Sequence, residues 1–206
     1  INGSSVDRGE IFLTTKIWPN LIGNGDLQQA MEESLERLET PYVDLLLIHW
    51  PSPTIPLAES LAALADVKAA GRAKHIGVSN FPIVLMHKAV QTYGVNVVCN
   101  QVEYHPFLDQ SRLIGSARAL GLFVTAYSPL AQGDVDDDPM LDAIARKHGK
   151  TPAQVTLRWL IDQDGVAAIP KAASEQHCRA NFEIFDFALS DEDRLAIYAL
   201  RGPRRM

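Results

Sequence analysis

Two ionisable side chains, Lys16 and His49, stand at the ends of short apolar runs and are the first candidates for chemistry in this sequence. The run Val43–Ile48 breaks off into His49, and the run Glu10–Thr15 breaks off into Lys16. An imidazole can hold or release a proton near neutral pH, and a buried ammonium can shift the pKa of a neighbouring group. Two runs that end alike suggest one shared pocket. The alternative for His49 is a histidine held under a loop by one hydrogen bond.

The apolar runs alternate with helical patterns along the whole chain. Val43–Ile48 is almost wholly aliphatic, which is typical of a parallel strand buried on both faces. Helical spacing follows each predicted strand, and Gly, Pro and Asn mark the connections. The predicted strands are Glu10–Lys16, Val43–Ile48, His75–Val78, Val95–Gln101, Leu122–Tyr127 and Val166–Ile169. The predicted helices are Leu27–Leu38 with Asp26 as its cap, Leu57–Val67, Phe81–Tyr93, Asp109–Leu120, Met140–His148, Pro152–Asp162, Ser174–Ile184 and Asp191–Leu200.

This alternation predicts an α/β fold with parallel strands and right-handed crossovers. An open doubly wound sheet would usually carry a Gly-rich nucleotide-binding turn, and the sequence contains neither GxGxxG nor GxxxxGK. A (β/α)₈ TIM barrel fits better, because polar or reactive residues stand at several strand ends. Such barrels usually need ~250 residues, and about six of their eight units are written here. We therefore expect residues 1–206 to form a single, incomplete barrel domain, with a gap between the Lys16 and Val166 strands.

The composition argues against several classes of partner and site. The chain has a formal net charge of -6, and its basic residues cluster only between Arg201 and Arg205, so we expect no nucleic-acid partner. No stretch approaches the ~20 apolar residues that a membrane helix needs, and the first residues do not resemble a signal peptide. Cys99 and Cys178 lack the spacing of a disulfide framework or a metal site. We expect both to be small core residues of a cytoplasmic protein without a metal.

Several motifs resemble those of the aldo-keto reductase family, in the branch of bacterial 2,5-diketo-gluconate and methylglyoxal reductases. The resemblance covers nearly the whole chain, and the motifs fall in order on the predicted strands. They are Phe12–Trp18, Tyr42–Pro51, Ile76–Phe81, Asn100–Pro106, Ala126–Leu130 and Ile169–Lys171. The resemblance implies NAD(P)H-dependent reduction of an aldehyde or ketone, with a small α-dicarbonyl or keto-sugar acid as the substrate. It also implies a monomer of the aldo-keto reductase barrel type.

The resemblance assigns two of the four residues that this family uses to protonate the carbonyl oxygen. In the family a tyrosine donates the proton, a lysine lowers its pKa, an aspartate pairs with the lysine and a histidine orients the carbonyl. Lys16 and His49 match the lysine and the histidine. The tyrosine and the aspartate lie on the unit before the Lys16 strand, and no position here corresponds to either. We therefore expect one or more N-terminal units and a C-terminal tail to be missing from the sequence.

The same resemblance places Trp18 and Trp50 in the wall of the substrate pocket. An ordinary contact at the rim of a pocket is the alternative for these two rings. The alternative function is a truncated barrel that binds a dinucleotide or a partner without turnover.

The nicotinamide end of the cofactor is assigned by the resemblance to strand ends. Ser79, Asn80 and Gln101 would hold the carboxamide, and Tyr127 would stack on the ring. The alternatives are helix caps before Pro82 for Ser79 and Asn80, a buried amide for Gln101, and a core position for Tyr127. The pyrophosphate would lie along the three residues that follow Tyr127, which are Ser128, Pro129 and Leu130.

The adenosine end is assigned to the segment that begins Ile169-Pro170-Lys171, where Lys171 would meet the 2′-phosphate of NADPH. Beyond it, the family pattern of serine, arginine and glutamate before an asparagine is replaced by Ala172, His177 and Ala180 before Asn181. An imidazole offers stacking and one hydrogen bond in place of the bidentate fork of an arginine. The sequence therefore predicts that NADH is accepted unusually well beside NADPH.

Overall fold

The computed structural model describes Gly3 and residues 5–201, and in this part of the chain six strands follow one another in a single sheet. The order in the sheet is the order in the chain, and the pairs β1–β2, β2–β3 and β5–β6 are parallel, as predicted. The strands are β1 (Thr14–Ile17), β2 (Val43–Ile48), β3 (Ala73–Ser79), β4 (Val97–Glu103), β5 (Phe123–Tyr127) and β6 (Val166–Ala168).

Helices occupy the connections between successive strands and the end of the described chain. They are α1 (Asp26–Leu38), α2 (Leu57–Ala69), α3 (Ile83–His87), α4 (Ser111–Ala119), α5 (Pro139–His148), α6 (Pro152–Ile161), α7 (Glu175–Phe182) and α8 (Asp191–Ala199). Short 3₁₀ segments at Arg8–Glu10 and Ala131–Asp137 were not predicted.

The contacts divide the chain into two compact units. The first comprises Ile1–Asn100 with Ala119–Leu122, and the second comprises Gln101–Arg118 with Phe123–Met206. The first contains β1 to β3, and the second contains β5 and β6. That residues 1–206 form a single barrel domain stays a prediction.

The strand predicted from Glu10 to Lys16 is wrong over its first half. The Arg8 guanidinium donates a hydrogen bond of 2.7 Å to the carbonyl oxygen of Ile11, and the Asp44 carboxylate accepts one of 2.9 Å from the N–H of Leu13. Two side chains thus bind backbone groups that a continuous strand would pair with its neighbour. The strand consequently begins only at Thr14.

Two predicted helix starts also need correction. The residue that precedes α1 is Gly25, with φ of 90°, and Asp26 is the first helical residue. The predicted helix Phe81–Tyr93 begins at Ile83, because Pro82 is extended and its carbonyl oxygen accepts from the first helical turn. It continues beyond His87 as a π-helical segment, Lys88–Thr92.

The interior of the first unit is close-packed around β2, whose six residues are all buried, as its aliphatic sequence predicts. Gly77 on β3 lies beside it. A Cβ atom at Gly77 would lie 2.7 Å from Leu47 Cδ2 and 2.9 Å from the carbonyl oxygen of Cys99. Glycine is therefore needed here because two neighbouring strands approach too closely for any side chain.

Candidate active site

The register of the first unit brings Lys16, Trp18 and His49 to one face of the sheet. Lys16 on β1 pairs with Leu47 on β2, and the N–H of His49 donates to the carbonyl oxygen of Ile17 over 2.9 Å. Successive residues of a strand point to opposite faces, so residues two apart share a face. Lys16 and Trp18 therefore lie on the same side as Leu47 and His49, at the carboxyl ends of two adjacent strands. The two strand ends thus lie side by side, and that they share one functional site stays a prediction.

The ring of Trp18 lies against the imidazole of His49. The ring centroids are 4.5 Å apart, and the planes are inclined by 35°. Trp18 is 58% exposed, so its outer surface remains open to a ligand while its inner surface covers the imidazole. Trp50, which is 44% exposed, follows His49 directly in the chain.

Burial and charge both act on the two ionisable groups. Burial lowers the pKa of Lys16 below its ordinary value. The electrostatic interaction with Cys99 acts in the opposite direction and raises the pKa, but it is the smaller of the two effects. Burial also lowers the pKa of His49, and the positive charge of Lys16 adds to that effect. Both effects favour the neutral form of His49, and a neutral imidazole has one N–H to donate.

The loop after β3 is tied to His49 through Asn80. Its Nδ2 donates to the carbonyl oxygen of His49 over 3.0 Å and to Oγ of Ser79 over 3.1 Å. Asn80 has a φ of 60°, in the left-handed region that non-glycine residues adopt uncommonly and that often marks functional loops. Pro82 precedes α3 without a side-chain cap, so neither Ser79 nor Asn80 caps that helix. The helix-cap alternative for these two residues is therefore wrong.

Sequence reasoning missed the supporting role of Asn100 on β4. This fully buried amide accepts a hydrogen bond from the N–H of Phe81 over 3.3 Å and donates one to the carbonyl oxygen of Phe81 over 2.8 Å. It thereby holds the loop that contains Asn80. The signal that could have identified it is an amide placed directly after the apolar residues that begin β4.

The second unit holds the other predicted cofactor residues. Gln101 is 4% exposed on β4, and Tyr127 is half-buried at the end of β5. The carbonyl oxygen of Tyr127 accepts from the N–H of Tyr104 over 3.2 Å. Ser128 follows with a φ of 46°, so a left-handed residue stands directly after β5 as Asn80 does after β3. Of the next two residues, Pro129 is buried and Leu130 is half-buried.

A cavity of about 240 Å³ in the second unit has Pro170 and Asn181 in its wall. Its other lining residues come mainly from α6 and from α7 and the turn after it, and they are largely apolar. Cys178 is among them and is exposed, which corrects the expectation that both cysteines are core residues; Cys99 alone is buried. The aromatic rings of Phe182 and Phe185, whose centroids lie 5.4 Å apart, complete the rim.

The two remaining candidates for the adenosine end lie at the surface. Lys171 and His177 are both exposed, and Ile169 is anchored beside β5 by a hydrogen bond of 3.1 Å from its N–H to the carbonyl oxygen of Ala126. The N–H of His177 donates to Oγ of Ser174, the cap of α7, over 3.2 Å. This bond fixes the start of the helix through the backbone of His177, and the imidazole takes no part in it.

The described part of the chain contains neither a candidate metal cluster nor a candidate membrane-spanning helix. Residues 5–201 contain no group of three or more His, Cys, Asp or Glu that could hold a metal ion. None of the described helices is both long and apolar enough to cross a membrane.

Known proteins share the family and the fold of this chain. The aldo/keto reductase family profile matches residues 1–201. Methylglyoxal reductase DkgB of Escherichia coli O157:H7 is 39% identical over 200 residues, which span 96% of this chain and 74% of that protein. A crystal structure described as a 2,5-diketo-D-gluconic acid reductase B is 43% identical and has a TM-score of 0.97, covering 100% of this chain and 73% of that one.

A further solved structure, a Gox0644 variant in complex with NADPH, is 37% identical with a TM-score of 0.89. The match covers 95% of this chain and 72% of that one. These likenesses confirm the predicted fold class, an α/β barrel of the aldo-keto reductase type, of which the described residues supply six strands.

Proposed function

This chain belongs to the aldo/keto reductase family, and we propose that it reduces a small aldehyde or ketone to the alcohol with a nicotinamide dinucleotide. The observation that carries the proposal is the cluster of Lys16, Trp18 and His49 on one face of two adjacent strands. It combines a partly buried cation, a neutral imidazole and an exposed aromatic surface, which together can bind and polarise a carbonyl group.

Each member of the cluster has a separate task in this proposal. A bound dinucleotide supplies the hydride for the carbonyl carbon. The N–H of neutral His49 donates to the carbonyl oxygen and orients it, while Trp18 covers the imidazole and keeps water from its inner surface. Lys16 stabilises negative charge on a neighbouring proton donor, since a cation lowers the pKa of an acid beside it. None of the 206 residues is assigned as that donor.

The cofactor residues are proposed on the family pattern and on the local geometry within each unit. In the first unit, the Nδ2 of Asn80 is bound to His49 and Ser79, and its backbone is in the left-handed region. The Ser79 hydroxyl is proposed as a donor to the carboxamide and the side-chain oxygen of Asn80 as an acceptor from it. In the second, Gln101 and Tyr127 are proposed for the carboxamide and the ring face.

The adenosine end of the dinucleotide is proposed to lie beside Pro170 and Asn181. The cavity that these residues line has apolar and aromatic walls, which suit a flat purine ring. Lys171, exposed at the end of this segment, is proposed to meet the 2′-phosphate of NADPH. The related structure that contains NADPH supports this choice of cofactor.

The proposed substrate is a small α-dicarbonyl or keto-sugar acid. The names of two relatives support it, one a methylglyoxal reductase and the other a 2,5-diketo-D-gluconic acid reductase. The substrate surface is proposed to include the exposed faces of Trp18 and Trp50.

The test is NADPH oxidation with methylglyoxal by a joined protein, in which this chain replaces the matching segment of the relative DkgB. Substrate-dependent oxidation that is lost in Lys16→Met, while NADPH still quenches or enhances protein fluorescence, would support the proposal. A folded protein that binds NADPH but reduces no carbonyl compound in a panel of dicarbonyls and keto-sugar acids would contradict it.

A further inference from the structure

A second cavity in the second unit lies between α4, α6 and α8 and takes no part in the proposed reaction. Its volume is about 630 Å³, within the range of cavities that bind small molecules. We propose that it is a binding site for a compact organic anion with a flat apolar body. The residues that carry the inference are Gly115, Arg118, Trp159, Arg194, Tyr198 and Arg201.

The charge of the lining favours an anion. Arg118, Arg194 and Arg201 line the cavity together with two aspartates, Asp162 and Asp164. Asp162 already pairs with Arg194 over 3.5 Å, and the largely exposed Asp164 pairs with Arg118 over 3.4 Å. Arg194 also binds Asp191, outside the cavity, over 2.9 Å. A guanidinium has five N–H donors, and these carboxylates do not use them all. The cavity therefore offers arginine donors to a further acceptor. Oδ2 of Asp162, by contrast, is buried without a hydrogen-bond partner in the described part of the chain, so the ligand must meet the arginines and not this oxygen.

Two buried donors at the wall are without acceptors in the described part of the chain. These are Nε1 of Trp159, a residue only 1% exposed, and Nε of Arg201. The Arg201 guanidinium also contacts Asp109 over 3.2 Å and lies 4.0 Å from the centroid of the Tyr198 ring. Because an unsatisfied buried donor is costly, an anion that drew Arg201 toward the cavity would recover part of that cost. The aromatic rings beside it supply the apolar surface for a flat ligand body.

The floor of the cavity includes Gly115, inside α4. Glycine in a helix interior is less favourable than any ordinary residue other than proline. Here neither packing nor backbone conformation requires it, since a Cβ atom at Gly115 would meet nothing within 4 Å and its φ is not left-handed. A larger side chain at this position would occupy the cavity instead. The small residue thus keeps the space between the helices open.

The experiment is calorimetric titration of the protein with benzoate, a flat organic anion, and with benzamide, its neutral counterpart. We expect benzoate to bind and benzamide to bind at least tenfold more weakly. Gly115→Leu should weaken benzoate binding at least tenfold by filling the cavity, whereas Gly115→Ala, which makes the same helix more favourable with little volume, should retain it. Benzoate binding that survives Gly115→Leu unchanged would overturn the proposal, and so would an absence of benzoate binding.

A second pair of variants tests the charge without altering the cavity floor. Arg118→Gln should weaken benzoate binding about tenfold, while Arg112→Gln, an exposed arginine of the same helix outside the cavity, should leave it unchanged. Equal losses in the two variants would indicate attraction to the whole protein and overturn the site. His49→Ala should not change benzoate affinity, and a loss there would assign the binding to the proposed substrate site instead.

Discussion

Trp18 and His49 occupy equivalent positions just beyond two paired strands, and their rings lie in contact at 4.5 Å. The contact follows from the register, since Ile17 pairs with Ile48 and the next residue of each strand is the tryptophan or the histidine. One consequence is electrostatic: the indole removes water from one side of the imidazole, so the neutral form of His49 is favoured. The other is steric, because the exposed face of Trp18 is the surface that a substrate would meet.

Replacement of Trp18 tests both consequences. Trp18→Ala should raise the pKa of His49 toward its ordinary value, because the half-buried imidazole regains water. It should also raise KM for the carbonyl substrate about tenfold. The pKa is measured from the NMR pH titration of the His49 ring protons. Trp18→Phe should retain most of the lowering of the His49 pKa and should change KM little. Trp50→Ala is the matched control, and a shift of the His49 pKa as large as that in Trp18→Ala would show that the stacked ring is not its cause.

Asp44 should make stability depend on pH in the acid range. Burial would raise the pKa of this carboxyl group, but hydrogen bonds from the Leu13 N–H and from Lys74 and Arg8 outweigh burial and lower it to about 2. A depressed pKa stabilises the folded state above the unfolded value near 3.8. The stabilisation, on the order of 1 to 2 kcal/mol, is lost as pH falls from about 4 to about 2.

The measurement for Asp44 is the free energy of unfolding in urea, for the native chain and for Asp44→Asn, at several pH values. The difference between the two should be present at pH 7 and shrink as pH falls from about 4 to about 2. Glu175→Gln removes an exposed carboxylate and should give a small difference at every pH. If the difference in unfolding free energy between the native chain and Asp44→Asn stays constant down to pH 2, the ionised form of Asp44 is not what stabilises the fold.

Cys178 should report on dinucleotide binding, because its exposed side chain lines the cavity proposed for the adenosine end. Bound NADPH should slow alkylation of Cys178 by iodoacetamide at least several-fold, and alkylated protein should bind NADPH more weakly. Mass spectrometry locates the modification, with the buried Cys99 as the internal reference. If saturating NADPH leaves the alkylation rate of Cys178 unchanged, the dinucleotide does not occupy this cavity.

His177→Arg should increase the preference for NADPH over NADH about tenfold, because an arginine adds a bidentate cation where the native chain has an exposed imidazole. The ratio of kcat/KM for the two cofactors measures the preference. Arg179→Gln, on the same helix and paired with Glu175, is the control for a change of charge elsewhere on α7. An unchanged ratio in His177→Arg would mean that Lys171 and the backbone read the 2′-phosphate without position 177.

The strand and helix order could be predicted because each element carries a strong local pattern. Val43–Ile48 is aliphatic and is buried throughout, and glycines such as Gly121 and Gly149 adopt the positive φ that ends a helix. The predicted strand from Glu10 failed because long-range bonds decide its conformation. Asp44 accepts from the N–H of Leu13, 31 residues away, and from Arg8, which in turn donates to the nearby carbonyl oxygen of Ile11. No local pattern encodes the contacts of Asp44.

The candidate site could be predicted only for those residues that stand at the ends of predicted strands. Lys16 and His49 were identified from chain position alone, and the register brings them to one face. The support from Asn100 was not predicted because this residue binds a loop 19 residues earlier in the chain. The exposure of Cys178 was not predicted because it depends on which face of α7 is left uncovered. A single cysteine or asparagine forms no repeating pattern in the sequence from which its contacts could be predicted.

The central claim is that Lys16 and His49 serve carbonyl reduction rather than stability. A polypeptide of these 206 residues alone should reduce methylglyoxal negligibly, because no residue in it is assigned as the proton donor. The joined protein, in which this chain replaces the matching segment of DkgB, should turn methylglyoxal over. In that protein Lys16→Met should lower kcat by ~10²-fold to 10⁴-fold and His49→Ala should lower kcat more than NADPH affinity.

The decisive measurement is the rate of NADPH oxidation in a single turnover with methylglyoxal, in the joined protein and its Lys16→Met variant, each saturated with NADPH. The account predicts equal NADPH binding and a rate at least ~10²-fold lower in Lys16→Met. Equal rates in the two proteins would contradict it, and so would turnover by the 206 residues alone.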